Sequence, residues 1–172
     1  MSEDAIMIQG NFSKWVHINN KDELIQKEEL KRAGHYVPGI YAIAYSNVNL
    51  SGKEFDYIED IVYFGMSINK RGLQGRLYQF FRTINGKSKQ HTAAEKMAHE
   101  LSKENDDWMN KIYISLLPCI YCSTTIISSG HITQDDCLNL NFMGGIAKQE
   151  YACLYEYAKR YNKLPRFCSK PK

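Results

Sequence analysis

A chain of 172 residues, 44% hydrophobic and 24% charged, is long enough for one domain around a single core. It holds no apolar run near the ~20 residues of a membrane span, and its acidic start, Met1-Ser2-Glu3-Asp4, lacks the basic and apolar segments of a signal peptide. The expectation is a cytoplasmic protein with no membrane partner. The net charge of +3 gives no global argument for nucleic acid, and the odd count of five Cys argues against a closed disulfide set.

Residues 1–19 carry no clear pattern. Asn20 can cap a helix over 21–33, with Glu23 as a capping-box partner and Gly34 as its stop. Pro38 then opens a strand over 39–45, on which Tyr41, Ile43 and Tyr45 share a face. Residues 46–60 form a polar connection longer than a tight hairpin. A second strand over 61–65 puts Ile61 and Tyr63 on one face. Antiparallel pairing of the two strands lets Tyr41 and Tyr63 meet on the same side.

A loop over 67–72 feeds a helix whose apolar residues, Leu73, Leu77, Phe80, Phe81 and Ile84, recur at helical spacing. Arg76 stands at the flank of this stripe, about 80° from its centre at ~100° per residue, and Arg82 on the solvent side. Asn85-Gly86 ends the helix. A further helix spans 92–103, preceded by His91. That histidine is either an exposed or capping residue, or one that contacts phosphate or relays a proton, since it titrates near neutrality. Residues 111–117 read as a third strand closed by Pro118, and 119–127 as a fourth or an extension. Residues 128–145 are poorly patterned, either an ordered insertion or a plain loop. Cys119 and Cys122 have a zinc-like spacing, but on a strand they point to opposite faces and lack a second ligand pair.

The last helix spans 145–161, with Ala147, Leu154, Tyr157, Ala158 and Tyr161 as its apolar stripe. Glu150 falls inside the stripe, while Glu156 points about 160° away from its centre. A carboxylate in an apolar face is costly unless it is paired or holds a metal, so Glu150 is the candidate and Glu156 a solvated residue.

Charge is unevenly placed. Between 69 and 91 stand six cations, Lys70, Arg71, Arg76, Arg82, Lys87 and Lys89, and no acid. Between 148 and 172 stand seven cations against two acids. Acids gather at Glu54, Asp56, Glu59 and Asp60. Two basic segments flanking one site suit a phosphate backbone; the plainer alternative is solvated surface charge.

Gly39-Ile40-Tyr41, Tyr63-Phe64-Gly65, the helical Arg76, Glu150 in a late helix and the closing Leu164-Pro165-Arg166-Phe167 occur in the order of the GIY-YIG nucleases, and the chain resembles that family over about residues 36–168. The resemblance implies an α+β fold: a small, mainly antiparallel three-stranded sheet flanked by helices, with residues 1–35 as an N-terminal extension. It implies a metal-dependent DNA endonuclease, of restriction type or a stand-alone bacterial enzyme. Tyr41 would be the likelier general base, Tyr63 its support, and Arg76 and Glu150 the phosphate and metal residues. Glu150, Leu154 and Tyr157 fit the family's carboxylate frame. The family's closing Asn is replaced by Cys168, with Asn162 as a substitute.

The chemistry is coherent. One carboxylate can hold a hydrated Mg²⁺, for which Mn²⁺ can substitute. A guanidinium suits phosphate oxygens, and a tyrosine with an ordinary pKa of ~10 needs a neighbouring cation to act as a base. Lys70, Arg71, Arg82, Lys87 and Lys89 would contact duplex DNA, and a homodimer would cut both strands. The alternatives are a non-catalytic nucleic-acid-binding module of the same fold and a domain that binds a protein partner.

Overall fold

The computed structural model describes residues 11–25, 30–32, 35–119 and 132–168. Its centre is a four-stranded antiparallel sheet built from β1 (Val16–His17), β4 (Gly39–Tyr45), β5 (Ile61–Ser67) and β6 (Ile112–Pro118), in the order β1-β6-β4-β5. Two short strands, β2 (Lys31–Arg32) and β3 (His35–Tyr36), pair separately. The helices are α1 (Lys21–Ile25), α2 (Gly72–Ile84), α3 (Thr92–Glu104) and α4 (Gln134–Tyr161).

The α+β class agrees with expectation; the strand count does not. The added strand comes from the N-terminal segment, where Trp15 is buried. Its amide donates to the Lys53 carbonyl at 2.9 Å, and Gly52 returns a bond of 2.9 Å to the Trp15 carbonyl. A two-residue strand with mixed neighbours gives no alternating pattern to read. The expected fourth strand at 119–127 falls on residues that, apart from Cys119, lie outside the described ones.

Every β4 residue from Gly39 to Ala44 is buried, because both faces of the sheet are covered. Tyr41 and Ile43 pack with Leu73, Leu77, Phe80, Ala94 and Met97 beneath α2 and α3. Ile40, Ala42 and Ala44 pack with Ile146, Cys153 and Tyr157 of α4. The domain is thus three layers, and the apolar alternation of β4 serves two cores rather than one core and solvent.

Three expectations change. Ile61 and Tyr63 do not share a face. The β4–β5 ladder pairs Ile43 with Tyr63 but Ala44 with Ile61, so Val62 is an extra residue. This bulge turns Ile61 into the α4 core while Tyr63 stays against the α2 core. The N-terminal helix is described only over Lys21–Ile25, and Lys31–Arg32 is strand, so the helix does not reach Ala33. The last helix begins eleven residues earlier than expected and runs unbroken through Gly144-Gly145. Thr133 and Asp136 form its capping box, a signal visible in the sequence but outweighed by the glycine pair.

Candidate active site

Tyr41 stands on the central strand β4 and is fully buried, with its hydroxyl 2.7 Å from His91 Nε2. Tyr63 stands on edge strand β5 and is half-buried. The two rings lie 5.9 Å apart, although the ladder sets Tyr41 opposite Gly65 rather than opposite Tyr63. Gly65 is what lets them meet. A Cβ there would strike the Tyr41 ring and hydroxyl and the Tyr63 ring, so the close diagonal approach requires glycine. Gly39 serves a similar purpose, since a Cβ would run into the Leu117 carbonyl of β6 and the Leu73 side chain.

His91 completes a triangle of rings, 6.1 Å from Tyr41 and 5.9 Å from Tyr63. It is the N-cap of α3, where its Nδ1 accepts the Ala94 amide at 3.2 Å. The histidine is therefore a capping residue, as one alternative held, but it is completely buried. It is not an exposed loop residue. Burial, then the Arg76 charge, lower its pKa to about 3, so the ring is neutral at physiological pH.

Arg76 extends from α2, and its Nη1 donates to Gln79 Oε1 at 3.0 Å and to the Gln90 carbonyl at 3.5 Å. Its charge bears on Tyr41, Tyr63, His91 and Glu150 together. Burial raises both tyrosines; for Tyr41 the Tyr63 charge adds to the rise, and Arg76 opposes it in each. Glu150, half-buried on α4, is likewise raised by burial and lowered by Arg76. Its place on the inner face of α4 thus brings it within reach of the Arg76 charge. Glu156 is half-buried rather than fully solvated, and its charge bears on Tyr57.

At the closing segment, Cys168 Sγ accepts the Phe64 amide at 3.4 Å, and the Phe167 amide donates to the bulged Val62 carbonyl at 2.9 Å. Burial pushes the Cys168 thiol up to about 11, with the Glu150 charge adding to the rise. Asn162 is the exposed left-handed C-cap of α4, at φ 53°. Cys168, not Asn162, occupies the place beside the site.

Lys70, Arg71, Arg82, Lys87 and Lys89 are all exposed. Arg82 lies over the Tyr78 ring at 5.7 Å and donates to the Lys87 carbonyl at 3.3 Å. Arg71 borders a groove of about 390 Å³ together with Tyr36, Gln74, Gly75 and Tyr78. No ion pair among the described residues involves Arg71, Arg82, Lys87 or Lys89. The C-terminal cations differ. Arg160 pairs with Asp56 at 2.8 Å, Lys163 with Glu59 at 2.7 Å, and Arg166 with both Glu100 and Glu104 at 2.9 and 2.6 Å. Two acids of the cluster, Asp56 and Glu59, thus answer the second basic segment, while Glu54 pairs with Lys14 at 3.0 Å.

Gln79 and Gln90, which steady Arg76, do not stand out in the sequence. The spacing of three between Arg76 and Gln79 on one helix is a usable sign; the Gln90 carbonyl gives none. No group of three or more His, Cys, Asp or Glu among the described residues is placed to hold a metal ion, and no helix among them is long and apolar enough to cross a membrane. Comparisons with family models, with curated proteins and with solved structures found no match to this chain.

Proposed function

We propose that the protein is a metal-dependent endonuclease that hydrolyses DNA phosphodiester bonds, with a core of the GIY-YIG kind and a restriction-type role. The observation that carries this reading is the convergence of Tyr41, Tyr63, Arg76 and Glu150. They come from four different elements, and the charges of Arg76 and Glu150 both act on Tyr63.

In this reading the Arg76 guanidinium, steadied by Gln79, binds the phosphate oxygens as charge grows on them. Glu150 would hold Mg²⁺, or Mn²⁺ in its place. A lone, half-buried carboxylate fits that ion, which keeps several waters and uses one or two carboxylates plus substrate phosphate. Such an ion supplies neutralising charge to the phosphate and the leaving oxygen. A tyrosine of the pair can accept the proton of the attacking water only as its phenolate. Burial opposes that form by raising both phenols, and the Arg76 charge counters the rise only in part. The exposed cations at the start of α2, on it and in the following loop, with no ion pair among the described residues at Arg71, Arg82, Lys87 and Lys89, are the surface proposed for the DNA backbone. A homodimer would cut both strands; light scattering showing a monomer even on DNA would count against it.

One observation favours a second reading, a non-catalytic DNA-binding module: a thiol, Cys168, stands by Glu150 where the resemblance calls for an amide. Plasmid cleavage separates the two. The wild type with Mg²⁺, the same with EDTA, Glu150→Gln and Glu156→Gln are compared. Metal-dependent cutting lost only in Glu150→Gln supports the nuclease. Salt-sensitive binding with no cutting, with Mn²⁺ also tried, supports the module.

A further inference from the structure

His91 uses both ring nitrogens. Nδ1 faces the Ala94 amide, a fixed donor, at 3.2 Å. Nε2 faces the Tyr41 hydroxyl at 2.7 Å. A neutral imidazole has one N–H and one bare nitrogen. Since Nδ1 accepts, it is the bare one and the proton is on Nε2. The opposite tautomer would set Nδ1–H against the Ala94 N–H, two donors head to head. A doubly protonated ring would do the same, in a buried place within reach of the Arg76 charge. Nε2–H therefore donates to Tyr41, and the phenol's own proton must go elsewhere. Tyr63 is the partner: its ring lies 5.9 Å from that of Tyr41, and a hydrogen bond from Tyr41, with the Arg76 charge, opposes the rise that burial gives its phenol.

We infer that His91 is a positioning residue for Tyr41: it caps α3 with Nδ1, donates to the Tyr41 oxygen with Nε2–H, and so aims the Tyr41 proton at Tyr63. The direction matters. With Nδ1 committed to the helix and Nε2 already protonated, His91 has no free lone pair to take a proton from Tyr41. It is a fixed donor, not a relay. The helix cap and the orientation of the site are thereby joined through one ring. A change at the start of α3 is transmitted to the buried tyrosine of β4.

Two amide side chains separate capping from donation. In His91→Asn the side-chain oxygen stands near the place of Nδ1 and can keep the cap, but the donor to Tyr41 is lost. In His91→Gln the amide nitrogen reaches toward the place of Nε2 and keeps that donor, but the cap is lost. Both variants are checked for a folded circular-dichroism spectrum. The kinetic arm rests on the nuclease reading. It expects kcat for plasmid cleavage to fall by at least ~10-fold in His91→Asn with KM nearly unchanged, and to be largely retained in His91→Gln despite a lower Tm. Activity that instead follows Tm, with His91→Asn fully active, would reduce His91 to a cap and overturn the inference. The second arm needs no activity. Nitrogen NMR of the full chain with ¹⁵N-labelled histidine, with the His91 signals assigned by their loss in His91→Asn, should show the neutral Nε2–H form near neutral pH. The Nδ1–H form or a doubly protonated ring would overturn the inference. A wild type that cuts no DNA while showing the Nε2–H form defeats the nuclease reading and leaves the hydrogen-bond assignment standing.

Discussion

At the scale of single residues, burial sets the chemistry. Tyr41 and His91 are sealed, so their pKa values move in opposite directions for one reason: each charged form is poorly solvated. This has a consequence for stability. An unfolded histidine binds its proton near ~6.5, whereas His91 in the fold does so only at about 3. Between those values the unfolded chain alone carries that proton. Stability should therefore fall as pH drops through this window, by up to ~1.4 kcal/mol per pH unit from this group. Urea unfolding of the wild type at neutral pH and at about pH 5 should show this loss, and His91→Gln should show less of it. In the proposed phosphate role of Arg76, the planar fork counts as well as the charge. Arg76→Lys should keep the fold but lower kcat by ~100-fold, measured on the plasmid substrate; near wild-type cutting would remove Arg76 from the proposed phosphate role.

At the scale of elements, two local devices are testable. The β4–β5 ladder carries a glycine where a tyrosine ring crosses it. Gly65→Ala would force Tyr41 off its place, and overpacking of this kind costs ~1–3 kcal/mol. Chemical denaturation should show that loss, and the shift should also displace the tyrosine pair and reduce cutting. An unchanged denaturation midpoint would mean that the ring moves aside freely. Helix α4 is 28 residues, about 42 Å at 1.5 Å per residue. Its first turn depends on Thr133 and Asp136. Thr133→Ala should cost ~1 kcal/mol of helix stability, while Glu150, well along the same helix, should keep its position. The expected result is faster amide exchange confined to the N-terminal turns of α4.

At the scale of the whole molecule, charge pairing distinguishes the two basic segments, and the proposed DNA surface rests on that difference. Seven cations near the C-terminus look as suitable in the sequence as the six around α2, but Arg160, Lys163 and Arg166 reach acids on other elements. Exposed pairs like these contribute little stability, yet they lower the local positive field. Replacing Arg71, Lys87 and Lys89 by Gln should weaken DNA binding uniformly across sequences and lower the salt slope by nearly one for each phosphate no longer neutralised. Replacing Arg160 and Lys163 should change it far less. Equal effects from both sets, measured by fluorescence anisotropy over a salt series, would show that the pairing does not select the face.

The sequence by itself determined the central hairpin, the helix bearing Arg76 and the place of Glu150 on the inner face of its helix. These follow from local periodicity, because a residue's place on a strand or helix face is set by its immediate neighbours. Only the tertiary structure decided the rest. The Val62 bulge that turns Ile61 to the other core depends on what β5 pairs with. The strand at Val16–His17 exists because β6 offers it an edge. The joining of α4 across Gly144-Gly145 runs against the glycines' low helix propensity and is seen only in the folded chain. The burial of His91 against Tyr41, fifty residues away, depends on tertiary packing that no local pattern records.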